Sequence, residues 1–146
     1  MNTDPIPGAT LTNLTLSKGS LSAWISNGPK PAEVGAVVIS THGVEGNARD
    51  YYNDMNAAYF AAKGAGLART HVKTLRMAPY FFDIDDADMR INGDTLGWSE
   101  QRWWCEGRGS SHPSGSSMTP FKIWDELIAK FSDVSSEYME AAVHRA

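Results

Sequence analysis

The sequence has little of what membrane spans, nucleic-acid grooves and disulfide scaffolds require. Its one cysteine, Cys105, cannot form an internal disulfide. Apolar runs stay far below the ~18 residues that cross a bilayer. The 13 basic residues are scattered and are outnumbered by 17 acidic residues, for a net charge of −4. We therefore expect neither a membrane nor nucleic acid among the partners.

The N-terminal residues also lack the basic and apolar regions of a secretory signal. We expect a cytoplasmic protein, or a secreted one if a leader is missing from this sequence. Hydrophobic residues make up 42% of the 146 residues and charged residues 21%, which is typical of a globular protein. We expect a single domain over residues 1–146.

Hydrophobic periodicity predicts strands in the first forty residues. Residues 10–16 and 21–25 have apolar residues at roughly alternate positions and flank Lys18-Gly19, which predicts a leading β-hairpin. Residues 34–40 are apolar with little alternation. That pattern is typical of a strand that is buried on both faces of a parallel sheet.

A helical pattern runs from about Asn47 to Lys63 and is followed by a strand over residues 70–77, which Pro79 terminates. A right-handed crossover makes the strands before and after this helix parallel. The sequence therefore predicts an α/β fold. It has a partial sheet with at least two parallel central strands, a leading β-hairpin and flanking helices. The helix residues expected to face the sheet are Tyr52, Met55, Tyr59 and Ala62.

The remaining sequence predicts a long loop, a second helix and a tail. Residues 80–118 have no regular pattern and are predicted to be a long irregular loop. Thr119 and Pro120 are typical of a helix start, and an apolar stripe extends from there to Ser132. Residues 133–146 form an atypical, weakly amphipathic tail. The stripe consists of Phe121, Trp124, Leu127, Ile128 and Phe131.

The segment His42-Gly43-Val44 carries the most chemical information, because it lies between an apolar strand and a helix. Strand, His-Gly loop and helix together build half of an oxyanion hole in acyl-transfer enzymes. With Asp50-Tyr51-Tyr52, Ala78-Pro79-Tyr80-Phe81 and the Trp-rich loop, this segment resembles the α/β-hydrolase superfamily, in its esterase or depolymerase-like branch. The resemblance covers roughly residues 34–131.

This resemblance implies serine-dependent hydrolysis of a small-molecule ester, with no cofactor. The Val44 N–H would stabilise the oxyanion, Gly43 would permit the tight turn, and His42 would orient the loop by hydrogen bonding. The residues that would border the pocket are Pro79, Tyr80, Trp103 and Trp104.

The family's Gly-x-Ser-x-Gly nucleophile elbow does not occur in these 146 residues. The resemblance therefore implies an N-terminal portion of the fold, incomplete as a domain and truncated or inactive as an enzyme, with no catalytic residue identified. An alternative is a non-catalytic interaction module that pairs through an exposed sheet edge, as in a homo-oligomer. A nucleotide-binding domain is a third, weaker interpretation, because the loop at residues 42–48 has only two glycines in unsuitable spacing.

Two further groups of residues are interpreted as structural. An acidic cluster lacks the glycine and glutamate at the sixth and twelfth positions of a calcium loop, so we expect no metal site. Ser111 and His112 are adjacent in sequence, and neighbouring residues rarely reach the geometry of a nucleophile and its base. The acidic cluster comprises Asp83, Asp85, Asp86 and Asp88.

Overall fold

The computed structural model describes residues 4–67, 72–85, 93–100 and 102–132. The predicted tail at residues 133–146 lies outside these ranges. The described residues form a four-stranded sheet, a two-stranded sheet, two helices and a short 3-10 turn. The elements are β1 (Ala9–Leu16), β2 (Gly19–Ser26), the turn Pro31–Glu33, β3 (Ala36–Ile39), α1 (Ala48–Gly64), β4 (Thr74–Pro79), β5 (Phe82–Asp83), β6 (Gly97–Trp98) and α2 (Pro120–Ser132).

The larger sheet is mixed and has the strand order β1-β2-β4-β3. β1 and β2 form the predicted antiparallel hairpin, with Leu14 opposite Leu21. β2 pairs with β4 antiparallel, and β3 pairs with β4 parallel, with Val37 opposite Leu75. Because α1 lies between β3 and β4 in the chain, the predicted β-α-β unit is confirmed.

β3 differs from its predicted environment. It lies at the end of the sheet order, and Val38 is 42% exposed, so the expectation of a strand buried on both faces is wrong. β4 is the interior member of the parallel pair. The apolar run indicates that these side chains favour burial. It does not indicate whether the strand lies inside the sheet or at its edge.

The helices cover opposite faces of the sheet. On β2 and β4, Leu21 and Leu75 pack with α2, whereas Trp24 and Ala78 pack with the α1 residue Tyr52. Successive residues of a strand face opposite sides, so the two hydrophobic clusters lie on the two faces. Tyr52 is buried, and the other predicted contact residues of α1 are half-buried.

The second helix begins as predicted but turns a different face to the sheet. Thr119 Oγ1 accepts a hydrogen bond of 3.2 Å from the Lys122 N–H, which caps the helix. Its buried residues include Ile123, which the predicted stripe omitted. Phe121 and Ile128, which the stripe included, are 73% and 59% exposed. The buried face follows the i, i+4 spacing of Ile123, Leu127 and Phe131.

The predicted loop at residues 80–118 contains more structure than expected. β5 and β6 pair parallel, and the Leu96 N–H donates to the Ser20 carbonyl of β2. Phe81 and Trp98 are buried in the same cluster as α2. This segment therefore packs against the end of the main sheet and contributes to the hydrophobic core. Residues 86–92 and 101, including Asp86 and Asp88, lie outside the described ranges.

Candidate functional site

The His-Gly loop connects the third strand to the first helix. β3 ends at Ile39, and the Ser40 N–H still donates to the Met77 carbonyl of β4 over 2.9 Å. The loop therefore leaves the sheet at the carboxyl end of a parallel strand pair, next to the point where β4 ends. Ligands of open α/β sheets bind at the carboxyl ends of the strands.

His42 connects this loop to the chain after β4. It is 2% exposed. Its Nε2 accepts a hydrogen bond of 2.9 Å from the Phe81 N–H, and its Nδ1 lies 2.6 Å from the Gly43 carbonyl oxygen. Because Nε2 is an acceptor, the proton of the neutral ring is on Nδ1 and is donated to Gly43. Both ring nitrogens are thus engaged, which suits a positioning role rather than that of a general base.

Burial also keeps this imidazole neutral. Loss of solvation lowers the pKa of His42, and the hydrogen bond to the Gly43 carbonyl opposes that change only in part. A second proton on Nε2 would in addition face the Phe81 N–H donor. The charged form is therefore unfavourable in the folded protein.

Aromatic rings surround His42. The Phe81 and Trp104 rings stack with centroids 4.7 Å apart, and the Trp104 ring lies edge-on to His42 at 5.0 Å. The Tyr80 ring is 6.1 Å from His42, and its hydroxyl accepts a hydrogen bond from Trp24 Nε1. Burial raises the pKa of the Tyr80 hydroxyl. These contacts fix the ring of His42 and, through it, the loop.

The four residues expected to border a pocket occupy different environments. Pro79 and Tyr80 are fully buried, and Trp104 is 9% exposed. Trp103 is half-buried and contacts the guanidinium of Arg108, 5.0 Å from the ring centroid. The structure therefore brings Tyr80 and Trp104 to His42, and it places Trp103 against Arg108.

Two backbone donors of the loop have no partner among the described residues. The N–H groups of Gly43 and Val44 donate to no acceptor among the described residues, and Val44 is 45% exposed. The tight turn depends on a different glycine from the one expected. Gly46 has a φ of 64° and donates to the Gly43 carbonyl, whereas Gly43 itself is outside the left-handed region.

The Ser111 and His112 side chains are each engaged in structural hydrogen bonds. Ser111 Oγ accepts from both the N–H and the hydroxyl of Ser99, and His112 Nδ1 bonds to the Thr95 carbonyl. Ser111 and His112 thus have separate partners. Within the described ranges, no three His, Cys, Asp or Glu side chains are grouped as a metal site would require. No helix in those ranges is long and apolar enough to cross a membrane.

An apolar groove is the feature that sequence reasoning missed. It has a volume of about 440 Å³ and runs between β3 and the C-terminal half of α2. Its walls come from segments about ninety positions apart, so no local pattern indicates it. The exposed Ile128 of α2 is one of its lining residues. The others are Val34, Gly35, Ala36, Val37, Ile39, Leu127, Phe131 and Ser132.

No family model, curated protein or solved structure matches the chain. What the site does must therefore be inferred from its own geometry. That geometry consists of a neutral, buried histidine and the loop that it holds at the carboxyl end of a parallel strand pair. Two backbone N–H groups of this loop have no acceptor in the part of the chain that the structure describes.

Proposed function

We propose that the chain is an α/β-hydrolase-like protein. Its 146 residues provide the first part of the sheet and the oxyanion-binding loop of a serine-dependent ester hydrolase. The nucleophile is not among them. By themselves, these residues bind the oxygen of a carbonyl group but do not cleave an ester.

The observation that carries this proposal is the position of the loop His42-Gly43-Val44. In α/β-hydrolases one oxyanion donor is an N–H of the loop between the third strand and the first helix. The loop here connects β3 to α1, and the bridge from His42 to Phe81 holds it in place. A preorganised donor stabilises the developing negative charge without rearranging first, which makes such a fixed loop suitable.

The chemistry of the loop also explains why activity is not expected from these residues alone. Losing one oxyanion donor typically costs about 3 kcal/mol of transition-state stabilisation. Here the second donor would be the N–H after the nucleophile, and no Gly-x-Ser-x-Gly elbow supplies it. Without the serine itself no tetrahedral oxyanion forms for the loop to stabilise.

The first test measures turnover and covalent labelling. We expect the purified chain to hydrolyse neither p-nitrophenyl acetate nor p-nitrophenyl butyrate above background, and to take up no fluorophosphonate. Labelling of a single serine together with turnover would show a nucleophile in this chain and refute the proposed division of roles.

A second test asks whether the loop binds an oxyanion. In an amide NMR titration with methylphosphonate, we expect shifts centred on the Gly43 and Val44 amides. Val44→Pro removes the donor at a largely exposed position, whereas the control Val44→Ala keeps it. Shifts that are equally large in both variants, or that lie elsewhere, would contradict the role of the loop.

The outer edge of β3, which no strand of the described residues covers, favours a second candidate function. A strand with one unpaired side is a template for another strand. Together with the apolar groove beside it, this edge supports a non-catalytic interaction module that pairs through its sheet. In that function the His42 bridge serves only to stabilise the fold.

A further inference from the structure

On the outer side of β3, the described residues leave backbone groups unpaired in a defined pattern. The Ala36 N–H donates to the Lys73 carbonyl and the Ser40 N–H to the Met77 carbonyl, over 3.2 and 2.9 Å. Alternate residues of a strand direct their backbone groups to the same side. Val37 and Ile39 therefore direct their N–H and C=O groups away from β4, to a side where the described residues place no strand.

On the α2 side of the sheet, the groove beside this edge is apolar and uncharged. The side chains of Val37 and Ile39 pack on the α2 side of the sheet, and the groove continues to Ile128 and Phe131. No charged side chain is among the residues that line it. An acidic or basic peptide would find no counter-charge there, whereas an apolar strand would fit.

We propose that this edge binds the β3 strand of a second copy of the chain, antiparallel and centred on Val38. The result is a continuous eight-stranded sheet. The proposal rests on the second candidate function, the edge as an interaction surface, and names its partner. It does not depend on the hydrolase assignment.

The register follows from the direction of the free backbone groups. When Val38 lies opposite its own copy, Val37 lies opposite Ile39 of the second copy, and the reverse pair forms by symmetry. Directly opposed residues of an antiparallel pair either exchange two hydrogen bonds or none. Here the outward-facing residues Val37 and Ile39 form the bonded pairs, which gives four hydrogen bonds. Centring on Val37 would instead pair Ile39 with Gly35, whose N–H donates to Lys73.

The faces of the two copies also match. Directly opposed residues share a face, so both α2 helices lie on the same side of the joined sheet. A stable interface buries about 800 Å² per partner, more than four strand residues provide. The remainder comes from the groove and from Ile128, which is 59% exposed in one copy. The pairing is two-fold and closed, so it joins the β3 edges of the two copies and does not propagate through them into a fibre.

The test compares charge-swap variants by their molar mass in solution, which is measured by light scattering over a range of protein concentrations. Val38 is exposed, so its replacement leaves the core intact. We expect the wild type to be a dimer and Val38→Lys and Val38→Glu each to be monomers, because like charges meet across the two-fold axis. An equimolar mixture of the two variants should recover the dimer. Leu67→Lys, at an 82% exposed position in the chain after α1, is the matched control and should remain dimeric.

Amide hydrogen exchange distinguishes the alternatives. In the dimer we expect protection of the Val37 and Ile39 amides, which disappears in Val38→Lys. A monomeric wild type overturns the proposal: protected amides would then mean that residues 133–146 cover the edge, and fast-exchanging amides that a different chain is needed. A dimer that survives Val38→Lys, or that leaves both amides unprotected, also overturns it. Ester turnover and phosphonate binding test the hydrolase proposal separately.

Discussion

Replacing His42 is expected to destabilise the protein more than any single change on the surface. His42→Ala leaves the Phe81 N–H buried without an acceptor, which costs about 1–3 kcal/mol. It also removes a ring that is 2% exposed and packed against Trp104, and the remaining cavity costs about 2 kcal/mol more. We expect a total loss of about 3–5 kcal/mol in the free energy of unfolding.

The assay is urea unfolding followed by tryptophan fluorescence, because Trp104 lies directly beside the altered ring. If the unfolding free energy of the variant decreases with urea concentration at the same slope as that of the wild type, the variant unfolds in the same cooperative transition. His42→Gln is the matched control. Its side-chain oxygen can still accept from the Phe81 N–H, so we expect it to lose only about 1–2 kcal/mol. A loss below about 1 kcal/mol for His42→Ala, or equal losses for both variants, would refute the reasoning.

Two further predictions concern pH and backbone geometry. Folding lowers the pKa of His42, so below about pH 6.5 the unfolded chain binds a proton that the folded protein does not. The free energy of unfolding should therefore decrease as the pH falls through this range. The difference in this free energy between the wild type and His42→Gln should become smaller. A difference that stays constant with pH would contradict the prediction. Gly19 has a φ of 122°, and a Cβ there would lie 2.7 Å from the Asp94 carbonyl oxygen, whereas Gly8, with a φ of 79°, has open space. Thermal unfolding should show that Gly19→Ala is more destabilising than Gly8→Ala by about 1–3 kcal/mol, because both replacements are strained but only the first also clashes.

Local patterns were sufficient for the elements that depend on nearby residues. The alternating residues around Lys18-Gly19 predicted the β1–β2 hairpin, and the helical spacing after Asn47 predicted α1. The parallel pairing of β3 and β4 also followed, because a helix between two strands leaves few ways to connect them. These features are determined by turn chemistry and by the period of the apolar residues.

The candidate site was predictable only in part. The position of His42 and Gly43 after a strand indicated the loop. The hydrogen bond from the Phe81 N–H to His42, across 39 positions, and the contact with Trp104 follow from folding of the 80–118 segment, which the sequence predicted as irregular. Gly46, and not Gly43, adopts the left-handed backbone conformation. Nothing in the local sequence distinguishes the two glycines.

The sequence by itself determined the β1–β2 hairpin, the β3-α1-β4 unit and the start of α2, because hydrophobic periodicity, caps and glycines act within a few residues. It did not determine β5 and β6, whose pairing depends on residues far apart in the chain. The tertiary structure alone decided which apolar side chains are buried against another element and which stay exposed. Val38 and Ile128 are as hydrophobic as residues of the core, yet both are exposed, since burial requires a partner surface and not only a preference for one. For the same reason, the free edge of β3 and the groove beside α2 could be recognised only once the two segments had come together.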